Sequence, residues 1–198
     1  MFRKLTLSAV LGVLVLAMSC AVEPTTEEEE QPAESEAAES KPIEGPYYEL
    51  TKDDITSHPD WTSMNITLNG VKIGDKTTAV EKQLGSLDKT EPVGPDHYRT
   101  AFEKSSYSVY THKMTGELQK IELYSRYAGQ IADPKFKKLL SSGDLDYMRE
   151  AFGMEESSEL NLNTTGMEYI YDAKGFRFAE YRLATGKMNS LLFSKIKK

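Results

Sequence analysis

The chain of 198 residues predicts an α+β fold of two similar helix-plus-antiparallel-sheet halves in tandem, and three observations carry that expectation. First, a helix signature is written twice, over Gly74-Asp75-Lys76-Thr77-Thr78-Ala79-Val80-Glu81-Lys82-Gln83-Leu84-Gly85 and Gly143-Asp144-Leu145-Asp146-Tyr147-Met148-Arg149-Glu150-Ala151-Phe152-Gly153. Each copy has a polar start, an apolar pair four residues apart on one helix face (Val80/Leu84, Met148/Phe152), and a closing Gly suited to left-handed backbone. Second, each helix is followed by about two dozen residues of alternating, aromatic sequence and a turn, Thr115-Gly116-Glu117 or Thr185-Gly186-Lys187. Third, the closing strands keep their apolar register: Ile121 and Leu123 fall on Leu191 and Phe193 at an offset of 70. A supersecondary unit written twice is the mark of a repeated architecture.

Taken in order, the chain opens with Arg3 and Lys4 ahead of an apolar run from Leu5 to Met18 that ends in small residues. That pattern is a secretory signal peptide over residues 1–19, too short to span a membrane comfortably. The segment Leu16-Ala17-Met18-Ser19-Cys20 resembles the lipobox of bacterial lipoproteins. The resemblance implies that Cys20, the sole cysteine, becomes the acylated, palmitate-bearing N-terminus of the mature chain. Each buried methylene of such a chain contributes about 0.8 kcal/mol, so multiple acyl chains anchor a protein stably. Ala21, where an inner-membrane lipoprotein often carries Asp, favours the outer membrane of a host that has two.

Residues 20–46 comprise this cysteine and an acidic linker. Residues 21–46 hold nine Glu, including Glu27 to Glu30 in a row, with one Lys and the prolines Pro24, Pro32, Pro42 and Pro46. With almost nothing to bury, the linker is expected to be a disordered, self-repelling tether. It carries −8 of the net charge of −7 and the start of the chain carries +2, which leaves −1 for residues 47–198. A near-neutral folded part lacks the basic surface that displaces counterions from phosphates, so nucleic acid is excluded as a partner.

The folded domain is expected over 47–198, with halves at about 47–127 and 128–198. Residues 47–63, with Tyr48, Leu50, Ile55 and Trp61 around Pro59, read as a short helix or irregular lead-in. Ile66 to Ile73 alternates on either side of Asn69-Gly70, a hairpin signal. The first helix follows, with Thr78 and Glu81 in capping-box spacing. The first half then predicts strands at Tyr98–Glu103, Tyr107–His112 and Leu118–Ser125. Asp133-Pro134 with Phe136, Leu139 and Leu140 predicts a capped second helix with an apolar stripe. After the third helix, strands are predicted at Met167–Asp172, Phe176–Arg182 and Met188–Lys195; Met154, Met167 and Met188 read as core filler.

The pattern Gly74, Thr77, Val80, Leu84, Gly85, then Tyr98 and Gly116, resembles the unit shared by the SmpA/OmlA lipoproteins of outer-membrane β-barrel assembly and by the β-lactamase inhibitory protein. The second copy keeps Gly143, Met148, Phe152, Gly153, Tyr169 and Gly186, with Asp146 near the place of Thr. The resemblance covers about residues 64–196 and implies a tandem arrangement whose sheets form one concave face.

No catalytic pattern stands out. His58, His97 and His112 have no metal-ligand spacing, so no metal and no cofactor is expected. There is no nucleophile elbow or phosphate-cradling loop. Asp144 and Asp146 suit a helix start, where the dipole favours acids. The sharper candidates are aromatic. Tyr110 and Tyr181 correspond at an offset of 71 and are opposite in parity to the core pair Tyr107/Phe178. With Tyr124 they are placed on the open sheet face, near Arg99, Lys120 and Arg177, with His112 a further candidate. Exposed Tyr and Arg are the residue types that carry interface energy. The expectation is therefore a membrane-anchored, extracytoplasmic lipoprotein, not an enzyme, that binds an envelope or secreted protein through the aromatic face. A peptide- or small-ligand-binding lipoprotein and an envelope hydrolase remain alternatives.

Overall fold

A computed structural model describes residues 45–85, 89–102, 104, 106–161, 165–184 and 186–196, and among these described residues the chain forms two sheets and three α-helices. The signal peptide, Cys20, the linker up to residue 44, Glu103 and Thr185 lie outside the described residues.

The lead-in is neither a helix nor wholly irregular. Strand β1 (Tyr48–Glu49) pairs in parallel with β2 (Ile66–Leu68), and β2 turns back into β3 (Val71–Lys72). The hairpin turn falls on Asn69-Gly70 as its sequence predicts; both have positive φ, 50° and 81°, the shape that matches strand twist. Glu49 fixes this small sheet, its carboxylate accepting from Thr67 Oγ1 and from the Asn69 and Gly70 N–H groups, each at 3.0 Å. Between β1 and β2 run two 3-10 turns, Ile55–Ser57 and Ser63–Asn65.

The helices are α1 (Thr77–Leu84), α2 (Pro134–Ser142) and α3 (Leu145–Phe152). Asp133 caps α2, one oxygen accepting the Phe136 N–H at 2.8 Å and the other the Thr56 N–H at 2.6 Å. Asp144 caps α3 by accepting from the Tyr147 N–H. At the far end of α2, where carbonyls lack intrahelical donors, buried Asn189 donates to the Leu140 carbonyl at 3.2 Å. The capping box expected at Thr78 and Glu81 does not form. The N-cap falls two residues earlier, at Lys76, and Thr77 donates through both its N–H and its hydroxyl to the Gly116 carbonyl at 2.8 Å. A distant turn, not local sequence, sets this helix start.

The main sheet has eight strands: β4 (Thr90–Val93), β5 (His97–Phe102), β6 (Tyr107–His112), β7 (Leu118–Tyr124), β8 (Ser157–Asn161), β9 (Gly166–Tyr171), β10 (Phe176–Leu183) and β11 (Gly186–Ser194). Their order is β4-β5-β6-β7-β11-β10-β9-β8, with every neighbouring pair antiparallel. The two sheets are therefore not one per half: the large one is continuous, and the small one belongs to the lead-in and hairpin. The edge strands β4 and β8 escape the alternation rule because they are almost wholly exposed and bury no apolar set. Pro92, without an N–H, sits on the edge strand β4, where the loss of a donor is tolerated.

One face of the large sheet carries the core. At its seam Leu123 faces Leu191 and Ile121 faces Phe193, all fully buried. Phe136 of α2 presses onto this face, its ring 5.3 Å from those of Trp61, Phe152 and Phe193 and 5.8 Å from that of Phe176. The lead-in thus packs on elements far along the chain. Ser63 bonds the Lys174 and Ser194 carbonyls, and Gly175, at φ 71°, passes so close to Ser63 that a side chain there has no room. Met154 is not core filler; it is 71% exposed.

Replacing Phe136 with Ala is expected to cost about 3–5 kcal/mol, read from urea unfolding. Met154→Gln is expected to stay within about 0.5 kcal/mol; a large loss there would contradict its exposed placement.

Candidate functional site

On the side of the sheet away from the helices, parity turns Lys120, Glu122 and Tyr124 of β7 outward. Glu122 lies between Ser108 of β6 and Leu192 of β11, and Leu192 faces Arg177 of β10. Although on the open face, Glu122 is only 5% exposed. Three phenols cover it: Tyr110 donates to Oε2 at 2.6 Å, Tyr124 to Oε2 at 2.9 Å, and Tyr181 to Oε1 at 3.1 Å. An ionised carboxylate only accepts and offers about four lone-pair directions, so three hydroxyls suit it.

The network extends outward. Arg99 donates through Nη2 to the Tyr124 oxygen at 3.1 Å and through Nη1 to Glu91 at 2.6 Å. Ser108 Oγ lies 3.0 Å from the Tyr124 oxygen, and Ser190 Oγ 3.4 Å from that of Tyr181. Ser108, Ser190 and Ala179 are buried, small floor residues that leave room for phenol rings to lie across the strands. Burial, then the neighbouring Glu122 charge, raises the pKa of all three tyrosines. Burial alone would lower that of Arg99, but its bonds to Tyr124 and Glu91 raise it on balance.

Around this cluster runs an open groove of about 730 Å³ whose lining reaches from Glu91 on β4 to Asn161 on β8. Six of the sequence candidates line it: Tyr110, Tyr124, Tyr181, Arg99, Lys120 and Arg177. Lys120 Nζ lies 5.8 Å from the centre of the Tyr110 ring, and Arg177 pairs with Glu168 at 3.5 Å. His112 is not in the lining. Its Nδ1 accepts from the Met114 and Thr115 N–H groups, closing the β6–β7 turn, and its ring stands 6.0 Å from that of His97, which does line the groove. Glu122, the residue that gathers the tyrosines, was missed by sequence reasoning. Its parity placed it on the polar face, but nothing in the sequence signals that three distant phenols converge on it.

The chemistry available here is that of a rigid floor. The hydroxyls point inward and are engaged, so the rings are held in place, with flanking guanidinium and ammonium groups. Among the described residues, no three His, Cys, Asp or Glu side chains are grouped to hold a metal ion.

No protein-family model matches the chain, and no curated protein matches it either. Among solved structures, a DUF4309 family protein (YjgB) from Bacillus subtilis subsp. subtilis strain 168 is distantly similar. It is 14% identical with a TM-score of 0.42, over 64% of this chain and 83% of that one.

Two outcomes are expected. Tyr181→Phe and Glu122→Gln, combined in a double-mutant cycle, should show a coupling of about 0.5–3 kcal/mol in urea unfolding. The raised tyrosines hold protons more tightly in the folded than in the unfolded state. Their contribution to stability is therefore complete below the ordinary tyrosine value of about 10 and is lost as pH climbs above it, so the urea midpoint should fall from about pH 10 upward, less steeply in Tyr110→Phe.

Proposed function

We propose that the chain is an exported bacterial lipoprotein, anchored through acylated Cys20, that presents the open face of its sheet to an envelope or secreted protein partner. The observation that carries the docking part is the convergence of Tyr110, Tyr124 and Tyr181 on Glu122. Aromatic groups whose rotamers are already held lose little freedom on association, which raises the affinity that a given surface can reach. The anchoring part rests on the lipobox-like segment and the sole cysteine at its end. The acidic tether would give the domain reach from the membrane.

The proposal includes the two-half architecture, running α1-β4-β5-β6-β7 and then α3-β8-β9-β10-β11. Two features support it. The element order is the same in both, and the seam pairs Ile121/Phe193 and Leu123/Leu191 exchange under the offset of 70, as a two-fold relation requires. The small sheet and α2 stand outside the repeat. Likeness to the SmpA/OmlA and β-lactamase inhibitory protein unit rests on the sequence motif alone. A second reading, a peptide or small ligand held in the groove, is favoured by the groove's volume, which falls in the range of ligand sites.

Labelling growing cells with palmitate is expected to mark the wild-type chain and leave Cys20→Ala unlabelled; equal labelling of both would remove the anchor. Leu192→Arg, at the centre of the groove floor, is expected to abolish in-cell crosslinking to the partner. Crosslinking that survives it would place docking elsewhere.

A further inference from the structure

We infer that β8 is a strand-addition edge: it takes up an extended segment of another protein in which a Lys or Arg opposite Glu159 adjoins an apolar residue beside Leu160. This surface is separate from the groove floor and stands without the docking reading above.

An open sheet ends in two rows of N–H and C=O groups that another strand matches along their whole length. The two ends of this sheet are built differently. β4 carries Pro92, whose missing N–H blunts that edge. β8 reads Ser-Ser-Glu-Leu-Asn, with no Pro, Lys or Gly, and its register with β9 runs from Ser157 to Asn161 without a bulge. Ser157 to Leu160 are all exposed. Of the devices by which sheets refuse a further strand, β8 keeps one, the charge of Glu159. A single charge selects among strands and does not refuse them all.

The side chains name the occupant. Glu159 faces Glu168 across the pair with β9, and like charges directly opposite are unfavourable. Glu168 is relieved by Arg177 at 3.5 Å and by the Asn161 amide at 2.7 Å. Glu159 forms no ion pair with a described residue. A cation that balances it belongs on its outer side, where an added strand would run about 4.8 Å away. Leu160, the next residue, turns to the other face of the sheet and is 59% exposed beside Met167. An apolar side chain added there would remove it from water. The residues opposite Glu159 and Leu160 are consecutive, so the added segment carries its cation and its apolar residue side by side. A second copy of this chain fits poorly, because pairing two β8 strands about their midpoint sets Glu159 against itself.

The test selects a displayed library of random decapeptides on the full chain, then remakes the strongest binder with one backbone N-methyl group at each position in turn. Winners should carry Lys or Arg next to an apolar residue. N-methylation should abolish binding at every second position and spare it between, because an added strand turns only alternate N–H groups toward the sheet. Glu159→Lys, its folding checked by the urea midpoint, should bind about fivefold more weakly, and exchanging the peptide's cation for Glu should restore binding. Leu192→Arg should bind as wild type does, so a failure of the docking face leaves this edge intact. An N-methyl scan without the two-residue period would overturn strand addition. Winners lacking a cation, or indifference to Glu159→Lys, would overturn the assigned chemistry. Loss of binding in Leu192→Arg would move the peptide to the groove floor and overturn the edge, and an empty selection would overturn it too.

Discussion

The antiparallel pairing of β7 with β11 is the constraint on which both faces of the sheet depend. It joins two four-stranded meanders that would otherwise each end in an open edge, a row of unpaired N–H and C=O groups. On one side the pairing brings Ile121, Leu123, Leu191 and Phe193 together, and they are fully buried beneath the helices. On the other it sets Glu122 beside Leu192 and brings Lys120 to Ser194. Because side chains alternate, a slip of one residue would send the core set to the groove and the groove set to the core. A single backbone register therefore determines core and candidate site together.

A buried carboxylate is unfavourable unless it is well bonded. Glu122 meets that condition through side chains drawn from three strands, β6, β7 and β10. The consequence runs in both directions. The phenols satisfy the carboxylate, and the carboxylate orders the phenols into a fixed floor. The floor could not close over large neighbours, which is why Ser108, Ser190 and Ala179 lie beneath the rings. In the proposed repeat the counterpart of Glu122 is Leu192, so the centre of the groove is polar on one strand and apolar on the next.

The lead-in segment shows how far tertiary packing can depart from chain order. Trp61 packs with Phe136 and Phe176, Thr56 shares the Asp133 carboxylate with the start of α2, and Ser63 is held by the turn before β10. These contacts close the core over β10 and the end of β11. They also give the domain a non-repeated layer that a strict duplication would lack.

Much of this was legible from the sequence because it depends on local periodicity. The Asn69-Gly70 turn, the Asp133 and Asp144 caps, the glycines that close α1 and α3, and β6 from Tyr107 to His112 follow from propensity and alternation alone. So did the parity that put Tyr110, Tyr124 and Tyr181 on one face. The edge strands β4 and β8 were not legible, since an exposed strand carries no apolar signature. Nor was the true start of α1, whose first acceptor, the Gly116 carbonyl, lies some forty residues away. Above all, the convergence of three phenols on Glu122 is a long-range geometric fact. Alternation tells which face a side chain takes, but only the folded register of β6, β7, β10 and β11 decides what it meets there.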